Sequence, residues 1–133
     1  MKKIFLSFIG VSLLISCTHL TYKEQENLRI LKNNGITIDK AGYYEAPNSE
    51  LAAGLLNILP GFGNFYLAMG EGADSNHYVF GFINLLLWPF SPLWAIPEGV
   101  IDAQTINKRE MIYYYKSDPY GKHELRQKGI ILE

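Results

Sequence analysis

Every lysine and arginine of this chain lies outside residues 41–107: Lys40 is the last before that stretch and Lys108 the first after it. Within it the acids and imidazoles are Glu45, Glu50, Glu71, Asp74, Glu98, Asp102 and His77. Charged side chains normally cover the outside of a domain in water, so a gap this long restricts what can surround the middle of the fold. It divides the chain into a leader (1–16), a polar arm (17–48), an apolar centre (49–101) and a polar tail (102–133). At 133 residues the length is that of one domain. With a net charge of −1 and no basic face, nothing points to a nucleic-acid partner.

The apolar centre is made of short pieces. Asn48 or Ser49 can cap a helix over Glu50–Leu59, with Glu50 favourable in its first turn. Pro60-Gly61-Phe62-Gly63 ends it in a turn that proline and glycine make sharp. Phe65–Met69 follows, then a polar, acidic loop Gly70–His77, then the apolar run Tyr78–Trp88. Pro89, Pro92 and Pro97 interrupt what comes next, and a helix from Pro92 or Pro97 can reach about Tyr115, with Ser91 as N-cap. As helices, Glu50–Leu59 and Tyr78–Trp88 would each be about 16 Å long. A bilayer core is about 30 Å thick, so neither piece spans it uninterrupted. The loop Gly70–His77 has no lysine or arginine, whereas cytoplasmic loops favour them. The expectation is a hairpin that dips into one leaflet or packs on a protein partner, rather than one that crosses a membrane.

The flanks read as helical. Tyr22–Asn33 carries Leu28 and Leu31 on one side and is stopped by Asn34-Gly35. Asp118-Pro119-Tyr120-Gly121 fits a type I turn. His123–Lys128 is a short helix with Gly129 as its stop. Leu28 to Ile36 and Leu125 to Ile130 share the order Leu-Arg, Lys, Gly-Ile. Ile36-Thr37-Ile38 reads as a short strand or an extended piece, and a two-stranded pairing of the segments that start at Ile36 and Ile130 is an open alternative. The fold class expected is mainly α.

Little in the sequence carries chemistry. His19, His77 and His123 have no metal-ligand spacing, and His19 is expected in solvent. Gly61-Phe62-Gly63 lacks the lysine and third glycine of a phosphate loop. Glu98 and Asp102 share a helix face; the expected role is a solvated acidic face, with an acid–base pair as the alternative. Asn57, Asn64 and Asn84 sit in apolar runs and need partners, either the broken backbone at Pro60–Gly63 or a second molecule. No catalytic residue, metal or cofactor is expected. Tyr43, Tyr44, Tyr66, Tyr78, Trp88 and Trp94 punctuate the apolar pieces, as amphipathic rings do at a membrane interface; ordinary core packing is the alternative. With Phe62 and Phe65, residues Tyr66, Trp88 and Trp94 are the expected membrane or partner contacts. Pro60, Gly61 and Gly63 are the expected structural turn.

Lys2 and Lys3, the apolar run Ile4–Ile15, Ser16 and the single cysteine, Cys17, have the form of a secretory leader. The run Leu14-Ile15-Ser16-Cys17 resembles the lipobox of bacterial lipoproteins. That resemblance implies cleavage after residue 16, acylation of Cys17 and a periplasm-facing lipid anchor. Thr18, in place of an aspartate, favours the outer over the inner membrane.

Residues 61–68, Gly-Phe-Gly-Asn-Phe-Tyr-Leu-Ala, resemble the turn of small two-helix membrane hairpin domains through Gly61, Phe65, Tyr66 and Leu67. Trp94 and Glu98 match that pattern's closing pair, while Gly63 and Asn64 replace its His-Arg and Ala68 its last glycine. The strings 59–66, 84–89 and 101–108 are similar to a group of small uncharacterised bacterial lipoproteins, over about residues 50–115. These likenesses imply location and architecture but no activity. The expected function is a non-enzymatic structural or interaction role in the cell envelope, with membrane lipid and an envelope protein as partners; the alternative is a module that binds lipid or another hydrophobe.

Overall fold

The computed structural model describes residues 18–133; the leader and Cys17 lie outside the described residues. The protein is mainly helical, with six α-helices and one 3₁₀ turn among those residues. They are α1 (Tyr22–Asn33), α2 (Glu50–Leu56), α3 (Phe62–Met69), α4 (Asn76–Leu86), α5 (Pro92–Ser117) and α6 (Pro119–Gln127). The 3₁₀ turn, Ile38–Lys40, follows α1.

Local chemistry sets the helix ends. At α1, Thr21 and Glu24 form a reciprocal capping box. Ser49 caps α2 by accepting from the Ala52 amide at 3.2 Å. The last residues of the helix expected to reach Leu59 tighten instead into 3₁₀-type bonds, since the amides of Asn57, Ile58 and Leu59 donate to carbonyls three residues back. The turn expected at Asp118–Gly121 is the start of α6: the Asp118 carboxylate accepts from the Tyr120 and Gly121 amides, and Pro119 takes the first helical position. α3 begins earlier than expected, at Phe62, and α4 runs over Asn76–Leu86 rather than Tyr78–Trp88. α5 starts at Pro92, continues through Pro97 and ends at Ser117.

No strand occurs among the described residues, so the pairing left open for the segments at Ile36 and Ile130 does not form. Both amides are already used. Ile36 N–H donates to Leu31 O at 3.0 Å and Ile130 N–H to Leu125 O at 2.9 Å. Each closes a Schellman motif in which Gly35 (φ +77°) or Gly129 (φ +65°) takes the left-handed position. The repeated Leu…Lys…Gly-Ile order is thus one helix stop used twice.

α5 is the spine, and its two halves meet different partners. Its C-terminal half packs with α1, α6 and the tail around Leu28, Leu31, Ile36, Met111, Ile112, Tyr115, Leu125 and Ile130, an ordinary apolar core. Its N-terminal half packs with α2 and α3, where the buried apolar cluster is only Ala53, Leu67, Ala103 and Ile106. α3 packs in turn on α4.

Candidate functional site

In the half built from α2, α3, α4 and the start of α5, polarity is inverted. The buried positions include Asn57, Asn64, His77, Asn84, Ser91, Glu98 and Asp102. Between them sit small residues: Ala53, Gly54, Gly63, Gly81, Ala95 and Gly99 are all buried. The outward positions are large and apolar: Leu51, Leu55, Ile58, Leu59, Phe62, Met69, Val79, Phe82, Ile83, Leu85, Leu86, Trp88, Phe90, Leu93 and Ile101 are exposed. Leu86 is 83% and Leu93 77% exposed, which no water-soluble core requires.

Two asparagines of the polar interior hydrogen-bond across the helices. Asn57 Nδ2 donates to Ala95 O at 2.6 Å, and Asn57 Oδ1 accepts from Gly63 N–H at 2.9 Å. One side chain thereby ties α2 to α5 and to the first turn of α3, satisfying the backbone broken at Pro60–Gly63. Asn84 Oδ1 accepts the Trp94 indole N–H at 2.9 Å, linking α4 to α5. Close approach of the helices makes these bonds possible. A Cβ on Gly63 would lie 2.1 Å from Ala53 O, and one on Gly99 would lie 2.7 Å from the same oxygen.

The end of this half that meets the rest of the protein forms a polar rim. Asn48 and Asn107 exchange two hydrogen bonds, Asn48 N–H to Asn107 Oδ1 at 3.0 Å and Asn107 Nδ2 to Asn48 O at 2.8 Å. Ser49 N–H donates to Tyr66 Oη at 2.9 Å, and Asn48 Nδ2 donates to Glu71 O at 3.2 Å. The far end carries Leu59, Leu86, Trp88 and Phe90, all exposed.

At the rim, Thr18 closes over a buried acid–imidazole pair. Its N–H donates to Asp102 Oδ1 at 2.6 Å, and its hydroxyl shares a hydrogen bond with His77 Nε2 at 3.2 Å. His77 Nδ1 lies 4.0 Å from Asp102 Oδ2. Burial pushes the Asp102 carboxyl up to about 6, against the bond from Thr18 and the nearby His19. Burial also lowers the His77 pKa, with Asp74 opposing. Hydroxyl, imidazole and carboxylate lie side by side, but His77 Nδ1 and Asp102 Oδ2 make no hydrogen bond, so the carboxylate does not orient the imidazole as a nucleophilic triad requires. Its other oxygen is spent on the backbone N–H of the same threonine.

Of the expected contact residues, Phe62 and Trp88 are exposed on the apolar face, and Phe65 and Tyr66 are half-buried. Trp94 is instead interior, because its indole N–H is taken by Asn84. Gly61 has φ +79° and faces the α4 backbone at Gly81; Pro60 precedes it. Glu98 and Asp102 are not a solvated face: both are buried, since this stretch of α5 turns its polar side inward. His19 is exposed, as expected. His77, assigned to the polar loop, lies buried in α4. Among the described residues no group of acids, histidines or cysteines could hold a metal.

Between α2, α3 and α4 runs an apolar groove of about 470 Å³, lined by Leu56, Phe62, Phe65, Tyr66, Met69, Tyr78 and Phe82. Its aromatic floor is tight, with Phe65 and Phe82 centroids 5.4 Å apart and edge-on. Tyr66 and Tyr78 sit at the rim end, and Phe62 lies at the start of α3, away from the loop.

No protein-family model matches this chain, and neither a curated protein nor a solved structure is similar to it.

Proposed function

We propose that the chain is a bacterial envelope lipoprotein, anchored through acylated Cys17, whose inverted half is embedded in one leaflet with its polar rim at the headgroups. The polarity inversion carries this reading. In water an apolar surface this continuous is costly. In hydrocarbon the same surface is satisfied, while small residues and asparagine amides supply the helix contacts. The depth fits: α4 has 11 residues, about 16 Å of helix, or roughly half of a 30 Å core. No helix among the described residues is long and apolar enough to cross a membrane. The exposed acids Glu45 and Glu71 belong to the rim side, and no lysine or arginine lies between Lys40 and Lys108 to charge the face. The role is structural or associative, not enzymatic; the outer membrane is the favoured site.

A Cys17→Ser chain expressed without the leader should still float with lipid vesicles, because the face binds without acylation. Leu86 and Leu93 each gain about 1.5–3 kcal/mol on full burial, so Leu86→Asp with Leu93→Asp should leave that protein in the aqueous fraction. Flotation that is absent from the Cys17→Ser chain, or indifferent to the two aspartates, would contradict leaflet insertion.

The groove favours a second reading, a hydrophobe-binding module. Its volume is in the range of small-molecule sites, about 300–1,000 Å³. Under that reading the protein would extract an amphiphile into solution instead of remaining in the leaflet.

A further inference from the structure

Residues 18–21 are fastened at every position. Thr18 sits on Asp102 and His77, through the two bonds of 2.6 and 3.2 Å. His19 O accepts from Arg109 Nη2 at 2.8 Å. Leu20 O accepts from Gln25 Nε2 at 2.9 Å. Thr21 caps α1 together with Glu24, which also holds Arg109 Nε at 3.0 Å. Asp102 and Arg109 are two turns apart on α5, about 10 Å, so the segment lies along that helix. Its partners otherwise have little to do. His77 and Asp102 are 1% and 0% exposed, and His77 Nδ1 and Asp102 Oδ2 have no hydrogen-bond partner. Burying an imidazole and a carboxylate is costly, and the group that meets them both is Thr18.

We propose that Thr18–Thr21 is a strap seated on the buried His77–Asp102 pair, which holds the start of the polar arm at the polar rim of the apolar face. The consequence for the anchor rests on the membrane reading. Thr18, the residue after the expected anchor, is thereby held at headgroup height beside the embedded helices. Two membrane contacts held this close act as one, and avidity of that kind exceeds either contact alone by about 10²–10⁴-fold. The strap also explains why a polar arm that ends at a lipid should pack on α5 at all.

The test uses the protein purified from envelopes in detergent, where strap and membrane insertion are read separately. By NMR, the Thr18 amide should exchange at least tenfold more slowly than in a free peptide of the same sequence. In Asp102→Ala the Thr18 protection should vanish, while the Thr21 amide, held by Glu24, and the amides of α1 and of residues 106–115 keep theirs. Thr18→Val, which alters only the end of the arm, should move the His77 imidazole ¹⁵N signals. Free-peptide exchange of Thr18 in the unaltered protein, or a His77 signal indifferent to Thr18→Val, would overturn the strap and leave the vesicle result standing.

Discussion

A Gly61→Ala variant is expected to lose the folded apolar half. Gly61 begins α3 at φ +79°, a conformation that costs a residue with a Cβ about 1 kcal/mol. The larger effect is contact: that Cβ would lie 2.1 Å from Gly81 O and 2.9 Å from Gly81 Cα. Both are backbone atoms and cannot rotate away, so α3 and α4 must separate and the bonds between α2, α3 and α5 must follow. A loss of about 4 kcal/mol or more is expected. Gly63→Ala should be comparable, with Ala53 O at 2.1 Å and the Asn57 amide at 2.5 Å. Gly35→Ala is the matched control: its φ is +77°, but nothing lies within 4 Å of its Cβ, so it should cost only about 1 kcal/mol. Thermal unfolding in detergent measures all three. Equal losses at Gly61 and Gly35 would show that the close approach of α3 to α4 is not required.

The buried pair should give single variants opposite responses to acid. The Asp102 carboxyl is pushed up to about 6 from 3.8, chiefly by burial. Its contribution to stability is therefore complete below 3.8 and lost as pH rises through about 6, a swing of about 3 kcal/mol. His77 is shifted the other way, so its contribution is present above 6.5 and lost as pH falls through its lowered folded value. Asp74 and His19 are the other charged groups that act on the pair. With both residues present, the folded protein takes up a proton at Asp102 over nearly the range in which the unfolded chain takes one up at His77, and the two slopes offset. His77→Ala should thus grow more stable between pH 7 and pH 4, and Asp102→Asn less stable between pH 7 and pH 5. Denaturant midpoints across that range would show it; parallel slopes in the two variants would contradict the burial of the pair.

Much of the fold was legible because helix ends are local chemistry. Ser49, Asn34-Gly35 and Gly129 each mark an end by a side chain or a glycine a few residues from what it satisfies. The proline-punctuated centre was harder. Its pieces are apolar nearly all round, so periodicity does not tell which side faces in. The signal was in the small and polar residues: His77, Gly81 and Asn84 recur at helical spacing on α4, as do Ala95, Glu98, Gly99 and Asp102 on α5, and both stripes are buried. Acids near a helix N-terminus are ordinarily favourable in solvent, which is the reason to expect Glu98 and Asp102 on a solvated face, while the stripe they share with Ala95 and Gly99 turns them inward. Trp94 misled for a related reason: an aromatic residue flanking apolar runs suits an interface, and only the distant Asn84 explains why it points inward. The seat of Thr18 had no local signal, since its partners lie 84 and 59 residues away in sequence.

Depth in the bilayer decides whether the inverted half sits in a leaflet with its rim at the surface. Nitroxide labels at Leu86→Cys and Ser75→Cys, placed one at a time in the lipidated protein in vesicles, report their exposure to oxygen in the bilayer and to a nickel complex in water. Cys17, once acylated, does not react with the label. Leu86 lies at the far end of α4 and Ser75 in the rim loop, both exposed on the protein. The Leu86 label should be relaxed by oxygen at a depth of about 15 Å and shielded from nickel, while the Ser75 label is open to nickel. A Leu86 label as open to nickel as the Ser75 label would place the apolar face in water and contradict leaflet insertion.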